Sequence, residues 1–239
     1  MQENTPKYRR VLLKLSGEAL ANGGKELIDH EFVGKVAAVL KKCLAAGTQI
    51  GIIVGAGNIW RGRQGKEMDP VRADNMGMMA TAINAIALQD AFIHAGIPSE
   101  TMTAVPMERF ARPFNRDEAV RLLESGTVVV FGCGLGMPFL STDTAAAVRA
   151  AEIGADAVLM AKNIDGIYTA DPKKDPCAKK ISSISCREIL EKRLAALDST
   201  ATAFCMDHGM SVLAFGLCDP ENIYRVVMGE EIGTVITGC

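Results

Sequence analysis

The sequence predicts an α/β fold in which helices cover both faces of a mainly parallel sheet. Short, almost continuous apolar runs alternate with stretches whose apolar residues recur at helical spacing. Strands that are apolar along their whole length belong to sheets buried on both faces, and such sheets are usually parallel. Apolar residues make up 49% of the chain and charged residues 23%, which is the balance of a folded globular protein.

The individual elements follow one another in that alternating order. We predict strands at 9–15, 50–54, 128–131, 157–161, 211–215 and 234–237. We predict helices at 32–46, 74–95, 116–124, 144–153, 186–194 and 199–208, with a short one after Asp219 and Pro220. Gly47 is a typical end of a helix, and Asn115, with Glu118 three residues later, is a typical beginning. Ser141 or Thr142 begins the helix at 144–153.

One polar stretch interrupts this alternation. Residues 163–180 are rich in Asp, Lys, Gly and Pro, which predicts a hairpin that leaves the sheet. The chain has no internal repeat and no linker long enough to separate two domains. We therefore predict a single domain, 1–239, in which this stretch marks the boundary between two lobes at about 1–155 and 156–239.

Charge and cysteine content argue against several classes of protein. Lys and Arg number 26 against 28 Asp and Glu, and aromatic residues are 5% of the chain, whereas nucleic-acid binders usually carry a basic excess and stacking side chains. The longest apolar runs are far shorter than a membrane span, and the first ten residues are too polar for a secretion signal. Seven cysteines without a CxxC pair do not suggest a disulfide framework or a zinc cluster. We expect a cytoplasmic protein without a nucleic-acid or membrane partner.

Polar, glycine-rich segments follow four of the predicted strands, at 14–18, 54–62, 132–143 and 161–172. Ligands of open α/β sheets bind beyond the carboxyl ends of the strands, so these segments should meet at one site. Glycine lets backbone N–H groups approach an anion, and Lys14 and Arg61 add full positive charges. Glycines can also simply end strands and allow close packing. With several such loops and two cations, we favour a site for several phosphates.

The candidate charged residues each have a structural alternative. Lys14 lies inside an apolar strand, where burying an unpaired ammonium group costs on the order of several kcal/mol, unless the strand is at an edge and the amine reaches solvent. Helix capping would be a sufficient structural role for Asp74, Asp143 and Asp198. A position in a turn would be a sufficient role for Asp171. None of these aspartates identifies a site by itself.

Fingerprints of other enzyme classes are missing from the sequence. There is no GxxxxGK[ST] loop, no GxGxxG dinucleotide motif and no GxSxG nucleophile elbow. His30, His94 and His208 stand apart from one another and from any cysteine pair, so no metal site made of protein ligands is predicted.

Six segments occur in a diagnostic order: KLSGEAL, GAGNIWRG, DNMGMMAT, FLSTDTAA, AKNIDGIYTADP and VVMGEEIGTVI. Together they resemble the bacterial UMP kinases of the amino-acid kinase superfamily from about residue 8 to residue 237. The resemblance implies a three-layer αβα sandwich, with an acceptor lobe at 1–155 and an ATP lobe at 156–239, assembled as a homohexamer. It implies an allosteric transferase that moves the γ-phosphoryl group of ATP, with Mg²⁺, to UMP in pyrimidine nucleotide synthesis. Feedback inhibition by UTP and activation by GTP are also implied.

The resemblance assigns roles to individual residues. ATP contacts would come from Lys14, Leu15, Ser16, Gly17, Gly57, Arg61, Asn163, Tyr168 and Asp171. UMP contacts would come from Ala56, Asp74, Leu135, Gly136, Met137, Pro138, Phe139, Leu140, Ser141 and Thr142. The catalytic group would be Lys14, Arg61, Asp143 and Asp198, in which the two aspartates orient Lys14 or hydrated Mg²⁺.

The chain departs from the family pattern in two places. Leu135 and Met137 stand where the usual TGNP loop has a Thr and an Asn facing uracil, so base selection should depend less on side-chain hydrogen bonds. Residues 25–27, KEL, stand where GFG is common in the regulatory region, so activation by GTP stays open. Two other hypotheses also stay open: a superfamily kinase acting on a carboxylate, carbamate or isoprenoid phosphate, and a non-catalytic nucleotide- or oxyanion-binding protein.

Overall fold

A computed structural model describes residues 5–24, 26–60, 67–170, 172, 174–194 and 196–238. The strands are β1 Arg10–Leu15, β2 Gln49–Val54, β3 Ser99–Thr103, β4 Arg112–Pro113, β5 Val128–Gly132, β6 Ala157–Lys162, β7 Ile167–Tyr168, β8 Lys180–Ile181, β9 Ser183–Ser185, β10 Val212–Gly216 and β11 Thr234–Thr237. The α-helices are α1 His30–Ala45, α2 Pro70–His94, α3 Arg116–Glu124, α4 Thr142–Ile153, α5 Cys186–Lys192, α6 Ser199–Asp207 and α7 Glu221–Val227. A 3₁₀ helix, Gly17–Gly24, follows β1.

Nine of these strands form one sheet in the order β4-β3-β5-β2-β1-β6-β10-β11-β9. Every neighbouring pair is parallel except β10 and β11, which are antiparallel. Two apolar clusters lie on opposite faces: α1, α2 and α7 pack on one face, and α3, α4, α5 and α6 pack on the other. The predicted three-layer αβα sandwich with a mainly parallel sheet is therefore confirmed.

Most predicted elements are present within one or two residues of their expected ends. The hairpin predicted in 163–180 is the antiparallel pair of β7 and β8. Asn115 caps α3 by accepting the N–H of Glu118, and Ser141, rather than Thr142, caps α4. The prediction for the start of α2 was wrong by four residues, because Asp69 is the cap and Pro70 occupies the first turn. Strands β3, β4 and β9 were not predicted. The division into two lobes stays a prediction.

Helix α2 has an unusual outer face. Within the described ranges it is the one helix whose length and apolar composition would suit a membrane span, yet 39% of that stretch is buried in this fold. Its inner side packs on the sheet through Ala85, Leu88 and Phe92. Its outer side exposes an apolar stripe at helical spacing, made of Met76, Met79, Ile83, Ile86 and Ile93.

Candidate functional site

A lysine–aspartate pair lies at the carboxyl edge of the central strands. Lys14 shares a sheet face with Leu12, and this face is the one covered by α4. Asp143, in the first turn of α4, places Oδ1 3.1 Å from the Lys14 Nζ, and the two side chains are 15% and 20% exposed. Lys14 therefore lies on a central strand, and its charge is paired with that of Asp143.

Two helix N-termini are joined beside this pair. Ser141 caps α4 by accepting the N–H groups of Asp143 at 3.0 Å and Thr144 at 3.1 Å. Asp198 caps α6 by accepting the N–H of Ala201 at 2.9 Å. The hydroxyls of Ser141 and Thr144 both donate to the Asp198 carboxylate, so one side chain links both helix starts. Each helix N-terminus carries about half a positive charge, which favours an anion at this place.

The glycine-rich loops after β1 and β2 are packed against each other. A Cβ atom on Gly17 would lie 2.5 Å from the Gly55 carbonyl oxygen and 2.7 Å from the Gly57 nitrogen, so no larger residue fits here. Close packing is therefore sufficient to explain why residue 17 is a glycine, which is the alternative to phosphate binding given above for the glycines of these loops. A phosphate contact by its backbone stays a prediction.

An amide pair fixes the loop after β2. Asn84 of α2 is fully buried and donates to the Gly55 carbonyl oxygen and to the Asn58 side chain, each at 2.8 Å. Asn58 donates in return to the Asn84 Oδ1 at 2.9 Å. The loop therefore has a fixed position relative to α2, although neither residue was singled out from the sequence.

A cavity of about 480 Å³ opens beside these loops. Eight residues predicted to bind nucleotide line it: Ala56, Gly57, Asp74, Leu135, Met137, Leu140, Ser141 and Thr142. Four further lining residues, Glu18, Trp60, Cys133 and Gly134, belong to the segments that were predicted to meet at one site. The other four, Ala73, Gly77, Met78 and Thr81 of α2, were assigned no role from the sequence. The volume is typical of a site for a small organic ligand.

The remaining residues of the predicted UMP loop lie next to the cavity wall rather than in it. Gly136, Pro138 and Phe139 are absent from the lining, and the Phe139 ring is mostly exposed. The Phe139 N–H donates to the Asp74 Oδ2 at 2.7 Å, so Asp74 anchors this loop as well as facing the cavity. Its alternative role as the cap of α2 was wrong.

Cys133 forms part of the cavity wall in a backbone conformation that favours glycine. Its φ is 63°, and it is buried directly after β5. The Cys133 N–H donates to the Thr81 Oγ1 at 2.8 Å, and the Thr81 hydroxyl donates to the Met78 carbonyl oxygen at 2.7 Å. This chain of bonds holds the turn that carries the loop at 133–140. Burial raises the pKa of the Cys133 thiol.

The residues predicted on the ATP side lie at the same edge of the sheet. Lys14 and Leu15 end β1, Ser16 and Gly17 follow them, and Asn163 follows the neighbouring strand β6. Tyr168 lies in the exposed hairpin and its hydroxyl donates to Asp165 at 2.9 Å. Arg61 and Asp171 lie outside the described residues.

A second lysine, not predicted from the sequence, approaches the same place. Lys162 is the last residue of β6, and its Nζ donates to the Ala196 carbonyl oxygen. Burial lowers the pKa of the Lys162 ammonium; the Asp143 charge acts in the opposite sense, and the Lys14 charge lowers it further. Lys162 therefore responds to the charges of both Lys14 and Asp143.

Comparisons with known proteins agree with this arrangement. A sequence profile of the amino acid kinase family matches residues 9–215. A UMP kinase structure from Bacillus anthracis is 33% identical with a TM-score of 0.93, covering 97% of this chain and 96% of its own. A UMP kinase from Ureaplasma parvum is 32% identical with a TM-score of 0.91, covering 97% and 99%. A uridylate kinase from Archaeoglobus fulgidus is 29% identical with a TM-score of 0.73, covering 95% and 99%.

Proposed function

Because the chain belongs to the amino acid kinase family and has the architecture of its UMP kinases over 97% of its length, we propose that it transfers the γ-phosphoryl group of ATP to UMP. An oxygen of the UMP phosphate attacks the γ-phosphorus, the bond to the β,γ-bridging oxygen breaks, and UDP and ADP result. The observation that carries this proposal is the Lys14–Asp143 pair at the carboxyl edge of the sheet, since Asp143 directly follows Ser141 and Thr142, which line a nucleotide-sized cavity.

The cavity is the proposed acceptor site. Its lining includes polar residues, among them Glu18, Asp74, Thr81 and, at the start of α4, Ser141 and Thr142, together with apolar side chains such as Leu135 and Met137. An anionic phosphate suits the helix N-terminus, so the UMP phosphate would lie toward α4 and the base toward the apolar side chains. Asp74 would accept hydrogen bonds from the ribose. Selection of uracil would then depend on backbone groups and on the size of the base.

ATP would bind along the ends of β1 and β6. Residues 14–17 and Asn163 lie there, with Tyr168 in the adjacent hairpin. Arg61 and Asp171 complete the proposed ATP contacts on the strength of the resemblance. This position brings the γ-phosphoryl group toward Lys14 and the acceptor phosphate.

Phosphoryl transfer of this kind needs positioning and neutralisation of charge more than proton transfer. The acceptor is already a phosphate anion, so no general base is required. Lys14 would stabilise negative charge on the transferring group, and Asp143, at 3.1 Å, would hold the ammonium in place. Asp198 has no such direct access, because its carboxylate is engaged by Ser141, Thr144 and Ala201; its proposed role is to position α4.

Mg²⁺ would enter with ATP. Among the described residues, no group of three or more His, Cys, Asp or Glu side chains could hold a metal ion. In proteins, Mg²⁺ usually keeps several waters and is bound by one or two carboxylates together with substrate phosphates. Asp143, beside Lys14, would contact its hydration shell. When bound, Mg²⁺ neutralises phosphate charge.

Regulation and assembly are further parts of the proposal. UTP shares the uridine of UMP and carries a longer phosphate chain, so it would occupy the acceptor cavity and extend toward Lys14 as an inhibitor. Activation by GTP rests on the family resemblance. We propose a cytoplasmic homohexamer engaged in pyrimidine nucleotide synthesis, in which a second copy covers the apolar stripe of α2. Such a stripe is unfavourable in water and typical of a subunit contact.

The assembly is tested by light scattering after size-exclusion chromatography. Ile83→Glu places a charge at the centre of the stripe and should reduce the oligomer to smaller species. Arg187→Glu changes an exposed residue of α5 and serves as the matched control. An unchanged mass for Ile83→Glu would overturn the proposed contact.

The activity is tested by a coupled assay for ADP with ATP, Mg²⁺ and each of UMP, CMP, AMP and GMP. We expect turnover with UMP and little with the purine nucleotides. Lys14→Ala should lower kcat by about 10²–10³-fold, as loss of one electrostatic contact to a transition state does. Lys42→Ala, which breaks an exposed ion pair with Glu221, is the matched control. Nucleotide binding without any turnover in the wild-type protein would favour the non-catalytic hypothesis.

A further inference from the structure

Lys162 presents a positive charge on the same sheet face as Lys14. Strand β6 lies directly beside β1, with Met160 opposite Lys14. Side chains alternate along a strand, so Lys162, two residues beyond Met160, faces the same side. Diagonal neighbours of this type have Cα atoms about 7–8 Å apart, which is within reach of one phosphoryl group for two long side chains.

The Lys162 ammonium has few partners in the described structure. Its Nζ donates to the Ala196 carbonyl oxygen, whereas an ammonium group carries three donors. Among described residues no carboxylate lies within 4.0 Å of it, and Asp143 is paired with Lys14. Burial lowers the pKa of this lysine, as expected of a cation without an adjacent counter-charge.

The surroundings of Lys162 indicate what the missing counter-charge is. The starts of α4 and α6 are joined on this face, and both present backbone N–H groups and a positive dipole end. Asn163, a proposed ATP contact, follows directly in the chain. The charges of Lys14 and Lys162 are formally balanced by Asp143 and Asp198, so the two positive helix ends are the net contribution that favours an anion here.

We propose that Lys162 is a second catalytic cation, whose ammonium binds the γ-phosphoryl group while it passes from ATP to UMP. The inference rests on the proposed function and adds a residue to it. Lys162 stays protonated and exchanges no proton; the bond to the bridging oxygen of ADP breaks and the bond to the UMP oxygen forms while both lysines face the equatorial oxygens.

A purely structural role makes a different prediction. Through Ala196, Lys162 also holds the segment that leads to Asp198, and Asp198 positions the start of α4. If Lys162 only fixed this segment, its loss would disturb the acceptor cavity and raise the KM for UMP. A charge that acts on the transferring group instead lowers kcat and leaves the binding of ADP and UMP unchanged.

The experiment compares Lys162→Gln with Lys162→Arg in the full-length protein. Both side chains retain a donor for the Ala196 carbonyl oxygen, but only arginine retains the charge. We expect Lys162→Gln to lower kcat about 100-fold, with dissociation constants for ADP and UMP within about threefold of wild type, and Lys162→Arg to recover at least tenfold. A wild-type kcat in Lys162→Gln, a loss confined to the KM for UMP, or an arginine variant as inactive as the glutamine variant would each overturn the proposal.

A measurement on the unmodified chain removes the dependence on variant folding. In protein with ¹⁵Nζ-labelled lysine, the Lys162 signal should shift when ADP, Mg²⁺, aluminium fluoride and UMP are added together to mimic the transition state. A signal that does not move under saturation would overturn the role of Lys162. Failure of the function itself would be distinct, because wild-type protein would then lack UMP-dependent ADP formation.

Discussion

Replacing Asp198 with alanine should loosen the two helix starts that meet at the site. The change removes the cap of α6, which is worth about 1 kcal/mol. It also leaves the buried Thr144 hydroxyl without its acceptor, which costs about 1–3 kcal/mol. The sum, about 2–4 kcal/mol, corresponds to a decrease in Tm of about 5–15 °C for a domain of this size. The KM for UMP should rise as well, because Ser141 and Thr142 line the cavity.

Urea unfolding followed by circular dichroism measures this loss, and Asp198→Asn separates charge from shape. Asparagine caps helices about as well as aspartate, so that variant should retain most of the stability. Ser185→Ala is the matched control, since Ser185 caps α5 in a capping box with Glu188 away from the site. It should lose about 1 kcal/mol with an unchanged KM. A loss in Asp198→Ala no larger than that in Ser185→Ala would refute the reasoning that Asp198 joins two helices.

Three further predictions concern other parts of the site and core. Asp74→Ala removes a charged acceptor from the Phe139 N–H and should raise the KM for UMP about tenfold or more in the coupled assay, whereas a rise in the KM for ATP alone would contradict this placement. Gly17→Ala forces a Cβ atom against backbone and should lower the free energy of unfolding by about 1–3 kcal/mol. Gly34→Ala, at an open position within a helix, should raise the free energy of unfolding by about 0.5–1 kcal/mol. If Gly34→Ala were the less stable of the two variants, the packing described for Gly17 would be contradicted. Burial raises the pKa of the Cys43 and Cys205 thiols to about 12, so a thiol reagent at pH 8 meets them fully protonated. Peptide mapping should show prompt labelling at exposed Cys177 and Cys218 and labelling of the buried pair only after unfolding; rapid labelling of Cys43 in native protein would disprove its burial.

The central strands could be predicted because their residues are apolar on both sides. Strand β3 could not, because SETMT reads as a polar segment. Its buried Thr101 donates to the Ala85 carbonyl oxygen of α2 at 3.3 Å, a tertiary partner that no local pattern reveals. The same limit applies to β4 and β9, which are two and three residues long and pair only through the fold.

The site was predictable where a residue conflicted with its surroundings. Lys14 could be predicted as a site residue because it is a cation inside an apolar strand. Lys162 could not, because it stands between an apolar run and a polar stretch, as an ordinary residue at the end of a strand does. The start of α2 was predicted too late, at Asp74, although Pro70 is a residue type that favours the first turn of a helix and Asp69 directly before it is the cap. Cys133 gave no indication of its left-handed backbone, since that conformation arises from the turn it occupies.

Helix α2 lies between two parts of the proposed assembly: a neighbouring subunit on its outer side and the loop after β2 on its inner side. Its buried Asn84 holds the loop after β2 through three amide hydrogen bonds, and the neighbouring residues Ile83 and Ile86 belong to its exposed stripe. A rotation of α2 about its axis, caused by the neighbouring subunit, would therefore displace Gly55 and Asn58 as well. The affinity of one chain for its substrate would then depend on the orientation of the neighbouring chain.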